Sequence, residues 1–279
     1  MSTPAGDFLQ TMAQSSRERV ASARAQRDDV QLRSLARARP EPPALRLSAQ
    51  GFDLIAEVKR RSPAVGPLDR GGEDVGARAR DYALAGAAAI SVLTEPSRFD
   101  GALEHLEQVV QALEGRAPAM RKDFLVDPYQ VYEARLAGAG GVLVILRMLE
   151  PAAVAALLDA AADARLFVLL EAFDAADLQL ARSLVSDYAA RVRLLTGVNC
   201  RDLATLQVVP GRLEQLAAHI PAAVPCVAES GVESGADARR LAAAGYSLAL
   251  VGSALMRTGD RLGLARELLE AGRQGRACG

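Results

Sequence analysis

From about residue 52 onward the chain alternates short apolar, strand-like segments with Ala/Leu/Arg-rich helical ones, and the repeat leaves few folds open. The strand-like segments number eight: LIAEV (54–58), AAAISVLT (87–94), PAMRKDF (118–124), GVLVILRM (141–148), LFVLLEA (166–172), RLLTGVN (193–199), PCVAES (225–230) and LALVG (248–252). Their apolar runs show no in–out alternation, which suits strands buried on both faces of a parallel sheet with helical crossovers. Between them lie amphipathic stretches such as EDVGARARDYALAGA, PYQVYEARLAGAG and GADARRLAAAGY, several closing on Ala-Gly, a helix-stop signal.

Eight such units within about 230 residues is the count and size of a TIM barrel. An open doubly wound sheet more often has five or six strands, and no G-x-G-x-x-G follows any segment. The expected fold is therefore α/β: a TIM (β/α)8 barrel over residues 51–279, preceded over residues 1–50 by a helical extension and linker. In that extension a polar helix is expected around Phe8–Arg24, then a charged linker ending in RPEPPALRL.

Composition narrows the function. With 50% hydrophobic and 24% charged residues a sizeable core is available, and a net charge of -1 argues against a nucleic-acid surface. No apolar run approaches the roughly 18 residues of a membrane span, and the first twenty residues lack the apolar stretch of a signal peptide. Cys200, Cys226 and Cys278 are odd in number and lack metal-type spacing, so they read as reduced thiols of a cytoplasmic protein. With only His105 and His219, a His-based metal centre is not expected.

In such a barrel the site is built at the C-terminal strand ends. These carry Glu57 and Lys59, Glu95, Lys122 and Phe124, Glu171, Asn199 and Arg201, Glu229-Ser230-Gly231, and Gly252-Ser253. Any one of these charges could equally solvate a loop, as strand-to-loop junctions often do. So many together, each ending an apolar strand, should converge on one another or on a ligand, because an uncompensated buried charge is costly. Glu57 and Lys59 are two residues apart and face the same side. The last two ends place Ser230, Gly231, Gly252 and Ser253 where backbone N–H groups can hold a phosphate. A lysine desolvated or crowded by cations there can have its pKa lowered, making it a general acid or an imine-forming amine. Arg201 could take a carboxylate by a two-pronged contact. Phe99, Phe124 and Leu143 could line a slot for a planar group, with Leu143 equally readable as core. Arg60 and Arg61 read as a basic loop edge, and Cys200, Met148, His105 and Tyr129 as packing or surface.

At these residues the sequence resembles the indole-3-glycerol phosphate synthase family. The matching stretches are IAEVKRRSP, SVLTEPSRFDG, RKDFLVDPYQVYEARLAGAGGVLVILRML, LLEAFDAADL, GVNCRDLATL, VAESGV and LVGSALMR, in order through nearly the whole barrel. The resemblance implies closure of a ring with loss of CO2 and water, on a small-molecule sugar phosphate, without cofactor or metal. It makes Lys122 the general acid and Glu171 the general base of the dehydration. Lys59 would stabilise charge on the substrate, with Glu57 and Glu229 holding the lysines and assisting proton transfer. Asn199, Arg201 and Ser62 would position the carboxyphenyl part, in the slot of Phe99, Phe124 and Leu143. Ser230, Gly231, Gly252 and Ser253 would bind the phosphate. It also admits association with other tryptophan-pathway enzymes. The chain departs from the family pattern at Val65, where a basic residue is usual, at Ala102, where Ser is common, and at Cys200, changes expected to touch affinity or loop dynamics. Read without the resemblance, the residues also fit an isomerase of a neighbouring step, a Schiff-base aldolase using Lys122, or an idle barrel kept as a scaffold.

Overall fold

Each apolar segment forms a strand because aliphatic and β-branched side chains fill both of its faces, and flanking glycines and polar residues stop it. In the computed structural model, which describes residues 5–68, 72, 74–203 and 205–277, eight such strands close into a parallel barrel. They are β1 Asp53–Val58, β2 Ala89–Leu93, β3 Ala119–Lys122, β4 Gly141–Ile145, β5 Phe167–Ala172, β6 Leu194–Asn199, β7 Cys226–Glu229 and β8 Leu248–Val251. Neighbours follow chain order, and pairing of β1 with β8 from Asp53↔Leu248 to Ala56↔Val251 closes the ring. The TIM barrel expected from the sequence is present. The strand limits differ from the expected ones mainly at two places: β3 stops at Lys122, leaving Phe124 in the following loop, and the tail of the fourth segment, Leu146–Met148, winds into a 3-10 turn. Cys278 lies outside the described residues.

The surrounding helices are α3 Val75–Ala85, α4 Pro96–Phe99, α5 Leu103–Leu113, α6 Pro128–Leu136, α7 Pro151–Ala164, α8 Ala175–Tyr188, α9 Arg212–Ala217, α10 Gly235–Ala243, α11 Ser253–Arg257 and α12 Arg261–Ala277. Several start on a carboxylate that accepts backbone N–H groups: Asp74 for α3, Asp127 for α6 and Asp174 for α8. The extension holds α1 Ala5–Gln26, as expected, but also α2 Asp29–Ala38 where a linker was expected. Asp28 caps α2, and only Leu32 and Ala36, one turn apart, are buried. So narrow an apolar stripe is lost in a stretch of arginines, yet burying Leu32 alone contributes about 1.5–3 kcal/mol.

The strands sort their side chains into two layers. Leu54, Ala56, Val58, Val142, Val144, Val168 and Leu170 point outward to the helices. Ile55, Met120, Leu143, Ile145, Leu169, Leu195, Val227 and Leu250 fill the barrel interior. Both layers are apolar, which explains the uninterrupted runs in the sequence.

One departure from the family pattern acquires a structural meaning. Ala102 is the N-cap of α5 in extended conformation, φ -155° and ψ 155°, with no side-chain hydrogen bond to the first turn. Ala102→Ser should supply the missing acceptor and raise stability by about 1 kcal/mol, or roughly 2–4 °C in Tm. An unchanged melting temperature would show that the cap is already satisfied by other means.

Candidate active site

The inward-facing series of most strands ends in a polar group at the C-terminal mouth. Glu57 follows Ile55, Lys122 follows Met120, Glu171 follows Leu169 and Glu229 follows Val227, while Asn199 continues the series of Leu195 past Gly197, four residues further on. Lys122 Nζ donates to Glu229 Oε2 at 2.9 Å and to Glu171 Oε2 at 3.2 Å. The other oxygen of Glu171 accepts from Asn199 Nδ2 at 2.8 Å. Asn199 Oδ1 in turn accepts from Ser230 Oγ and the Arg201 amide, each at 2.9 Å. Lys59 Nζ donates to Glu57 Oε1 at 2.6 Å. Three carboxylates, each 3% exposed or less, thus surround two ammoniums. Missing side chains make room for them. A Cβ on Gly197 would collide with the Glu229 carboxylate, and one on Gly252 with that of Glu57.

The charge balance decides the protonation states. Burial pulls the Lys122 pKa down, but Glu171, Glu229 and Glu57 push it up more strongly, so it ends raised and the amine stays an ammonium. This corrects the expectation of a lowered lysine pKa: the neighbours are anions, not cations. Glu229 moves the other way. Burial, reinforced by Glu171 and opposed by Lys122, pushes its pKa up to about 8. Its Oε1 has no hydrogen-bond partner among the described residues. With more carboxylates than ammoniums buried together, Glu229 is the one that retains a proton near neutrality.

The cluster lies at the base of an open cavity of about 1110 Å³. Every residue given a site role from the resemblance lines it: Glu57, Lys59, Ser62, Phe99, Lys122, Phe124, Leu143, Glu171, Asn199, Arg201, Glu229, Ser230, Gly231, Gly252 and Ser253. Leu143, 2% exposed, serves both readings, as cavity floor and as barrel core. Phe99 and Phe124 form one aromatic wall, centroids 6.1 Å apart. Phe8 meets Phe124 edge-on at 5.9 Å and lines the cavity with Leu9. The sequence reading did not single out these two; the available signal was a pair of apolar residues opening an otherwise polar helix. Glu95, grouped with the strand-end charges in the sequence, does not line the cavity. Its carboxylate caps α4, accepting from Ser97 N at 2.9 Å and Arg98 N at 2.7 Å.

Directly after β7, Ser230 and Gly231 take consecutive left-handed conformations, φ 69° and 71°. For Ser230 this costs of order 1 kcal/mol, held by its bond to Asn199 and by Cys200 Sγ on its carbonyl at 3.2 Å. Gly252 opens α11 with no side-chain acceptor, leaving first-turn N–H groups for an anion.

The outward residues of the RKDF stretch tie the extension to this site. Asp123 accepts two bonds from Arg19 of α1, at 2.8 and 2.9 Å, and one each from Arg121 at 3.0 Å and Thr94 at 2.8 Å. Burial disfavours its charge, but Arg121 and Arg19 outweigh that and hold its pKa well below the usual carboxylate range. Ser16 Oγ donates to the Phe124 carbonyl at 2.5 Å. The helix that brings Phe8 and Leu9 to the cavity is thereby fixed one residue from Lys122.

The sequence pattern of the indole-3-glycerol phosphate synthase family matches residues 9–268. The indole-3-glycerol phosphate synthase of Opitutus terrae is 40% identical over 246 residues, covering 86% of this chain and 90% of its own length. That of Leifsonia xyli subsp. xyli is 42% identical over 253 residues, covering 90% and 94%. Among solved structures, 3-hexulose-6-phosphate synthase from Salmonella typhimurium superposes with a TM-score of 0.61 at 16% identity, covering 80% of this chain and 99% of that one, a likeness of fold alone.

The raised Glu229 has a measurable consequence. Its folded pKa lies above the unfolded value, so its favourable contribution is complete below about 4.5 and is lost as pH rises through about 8. Glu229→Gln keeps the shape and an oxygen acceptor for Lys122 while removing that loss. Its Tm relative to wild type should therefore increase between about pH 5 and pH 9, followed by differential scanning calorimetry. A difference that stays flat or shrinks would contradict the protonated state assigned to Glu229.

Proposed function

The chain belongs to the indole-3-glycerol phosphate synthase family, and from that premise we propose which of its residues carry each step. The reaction is that of a carboxy-lyase in tryptophan biosynthesis. It closes 1-(2-carboxyphenylamino)-1-deoxyribulose 5-phosphate into indole-3-glycerol phosphate, with loss of CO2 and water.

The observation that carries the assignment is Lys122 held between Glu171 and Glu229. As the aromatic carbon bearing the carboxylate attacks the ketone carbon, negative charge builds on the ketone oxygen. Lys122, already an ammonium, delivers a proton there, with Lys59 adding positive charge to the same end. Departure of CO2 returns its bonding pair to the ring. The new hydroxyl takes a second proton from Lys122, recharged by the protonated Glu229 that it bonds, and leaves as water, while Glu171, oriented by Asn199, accepts the proton released from the substrate. Glu57 and Glu229 hold the two lysines and buffer the transfers. Arg201, Asn199 and Ser62 position the carboxyphenyl group against Phe99, Phe124 and Leu143. The backbone of Ser230, Gly231, Gly252 and Ser253 takes the phosphate, a charge that helix N-termini favour.

The sequence offers a second support. Of 33 basic residues, Lys59 and Lys122 are the chain's two lysines. Arginine, with a pKa above 12, cannot exchange a proton at neutral pH. An imine-forming aldolase fits less well, because an amine that its glutamate neighbours, Glu171 foremost, keep protonated is a poor nucleophile.

Residues 51–279 then form the catalytic unit, and residues 1–50 an extension that completes the aromatic wall. We assign the enzyme to the cytoplasm, where association with other tryptophan-pathway enzymes is open to it. Among the described residues no helix is long and apolar enough to cross a membrane.

Because the chain contains no tryptophan, indole product can be followed by fluorescence over little protein background. Lys122→Met and Lys122→Arg should both lower kcat by about 10²–10⁴, although the second keeps the charge. Turnover surviving in Lys122→Arg would reduce Lys122 to an electrostatic role. Borohydride trapping of a sugar phosphate on the wild type would favour the aldolase instead.

A further inference from the structure

Beside the catalytic cavity runs a second groove, between the start of α1 and the loops after β4, β5 and β6. The two share Leu9, Phe173, Arg201 and Leu203, so they are continuous. The groove collects four guanidiniums, from Arg17 of α1, Arg147 after β4, Arg201 after β6 and Arg212 at the start of α9. Arg147 is neutralised by Asp174 and by Asp177 at 2.7 Å, and stacks over the Phe173 ring at 4.7 Å. The other three have no ion pair among the described residues. Arg201 donates to the Leu206 carbonyl at 2.6 Å, an uncharged acceptor. Arg17 and Arg212 have no carboxylate within ion-pair distance among the described residues. The groove's one acid, Asp202, is turned to the Thr205 amide at 2.8 Å and hydroxyl at 3.2 Å. Among the described residues, three guanidiniums without an ion pair therefore face one carboxylate.

This concentration is local. The whole chain carries a net charge of -1 and exerts no long-range pull on an anion. A cleft lined by one sign of charge does, over distances of about a Debye length, ~10 Å at 0.1 M salt. The ring-closure substrate bears both a phosphate and a carboxylate. From this geometry we propose that the arginine groove is an access vestibule, which captures the doubly anionic aromatic sugar phosphate and hands it along the shared Arg201–Phe173 wall to Lys122. The inference rests on the ring-closure reading given above. It assigns to Arg17 and Arg212 a capture role, in which neither touches the reacting atoms.

The test compares wild type with Arg17→Gln/Arg212→Gln across a sodium chloride series, by indole fluorescence. A control, Arg165→Gln/Arg191→Gln, removes the same charge from loops leading into β5 and β6 at the opposite end of the barrel. Arg165 and Arg191 are exposed, 71% and 58% by side chain. At low salt kcat/KM of the groove variant should fall about tenfold, and the deficit should vanish near ~0.5 M salt, where charges are screened within a few ångströms. Its kcat should stay within about twofold, since the catalytic groups are unchanged. The control should follow wild type throughout. A deficit that persists at high salt, an equal loss in the control, or an unchanged kcat/KM would each overturn the vestibule while leaving the ring-closure reading intact. A wild type that forms no indole product would instead overturn that reading, and the vestibule with it.

Discussion

Lys122 sits between Glu171 and Glu229 because none of the three tolerates burial alone. Removing one partner from a buried ion pair costs about 3–5 kcal/mol, most of it the exposure of the survivor to a medium that cannot solvate it. The mouth of the barrel is therefore an interdependent set, in which Asn199 holds Glu171, Ser230 holds Asn199, and Cys200 bonds the Ser230 carbonyl. That chain runs from the proton-transfer centre to the loop proposed to take the phosphate. A shift at either end is felt at the other through bonds of 2.8–3.2 Å. The excess of carboxylate is part of the design. It keeps Lys122 charged while leaving Glu229 able to hold a proton, so donor and acceptor states coexist at one pH.

The same alternation that builds this set also fastens the extension. In Arg121-Lys122-Asp123-Phe124, Lys122 and Phe124 face the cavity, while Asp123 is bonded to α1 and Arg121 to α6. Arg121 is 1% exposed, and bonds Glu133, the Gln130 carbonyl, Thr94 and Asp123. The ammonium on the inner face and the guanidinium on the outer face are adjacent in the chain, so rigidity supplied by the helix reaches the catalytic strand through covalent backbone rather than a relay of loose contacts. The extension contributes Arg19 and Ser16 to this clamp, which lie about three and two turns from Phe8. The aromatic wall and the clamp are two faces of one helix placement.

Much of the fold was legible because its rules are local. Eight apolar runs bounded by turn residues name the barrel, and two-residue periodicity says which side chains share the mouth. What stayed hidden depended on contacts between distant segments. Helix α2 is stabilised by two buried residues against the barrel, too narrow a stripe to emerge from its arginines. Phe8 gains meaning only from Phe124, far away in sequence. Glu95 shares the residue type and strand-end position of Glu57, yet a neighbouring Pro96-Ser97-Arg98 turn offers it backbone donors and turns it into a cap. The sign of the Lys122 shift required knowing that its neighbours are glutamates, a fact of barrel order rather than of sequence proximity.

One compositional fact was in the sequence throughout. Arginine occupies every basic position of this chain but two, including the clamp, the groove and the exposed ion pairs. At those positions only a fixed positive charge and several donors are needed, and guanidinium offers both with bidentate geometry. Lys59 and Lys122 are the two exceptions, and both reside in the cavity. A purely electrostatic site would accept arginine as readily as the clamp does. A compact ammonium that fits against a glutamate 2.6–3.2 Å away, and can give up a proton when an alkoxide forms beside it, has no guanidinium equivalent. The lysines mark where charge alone is insufficient, and they do so independently of any motif.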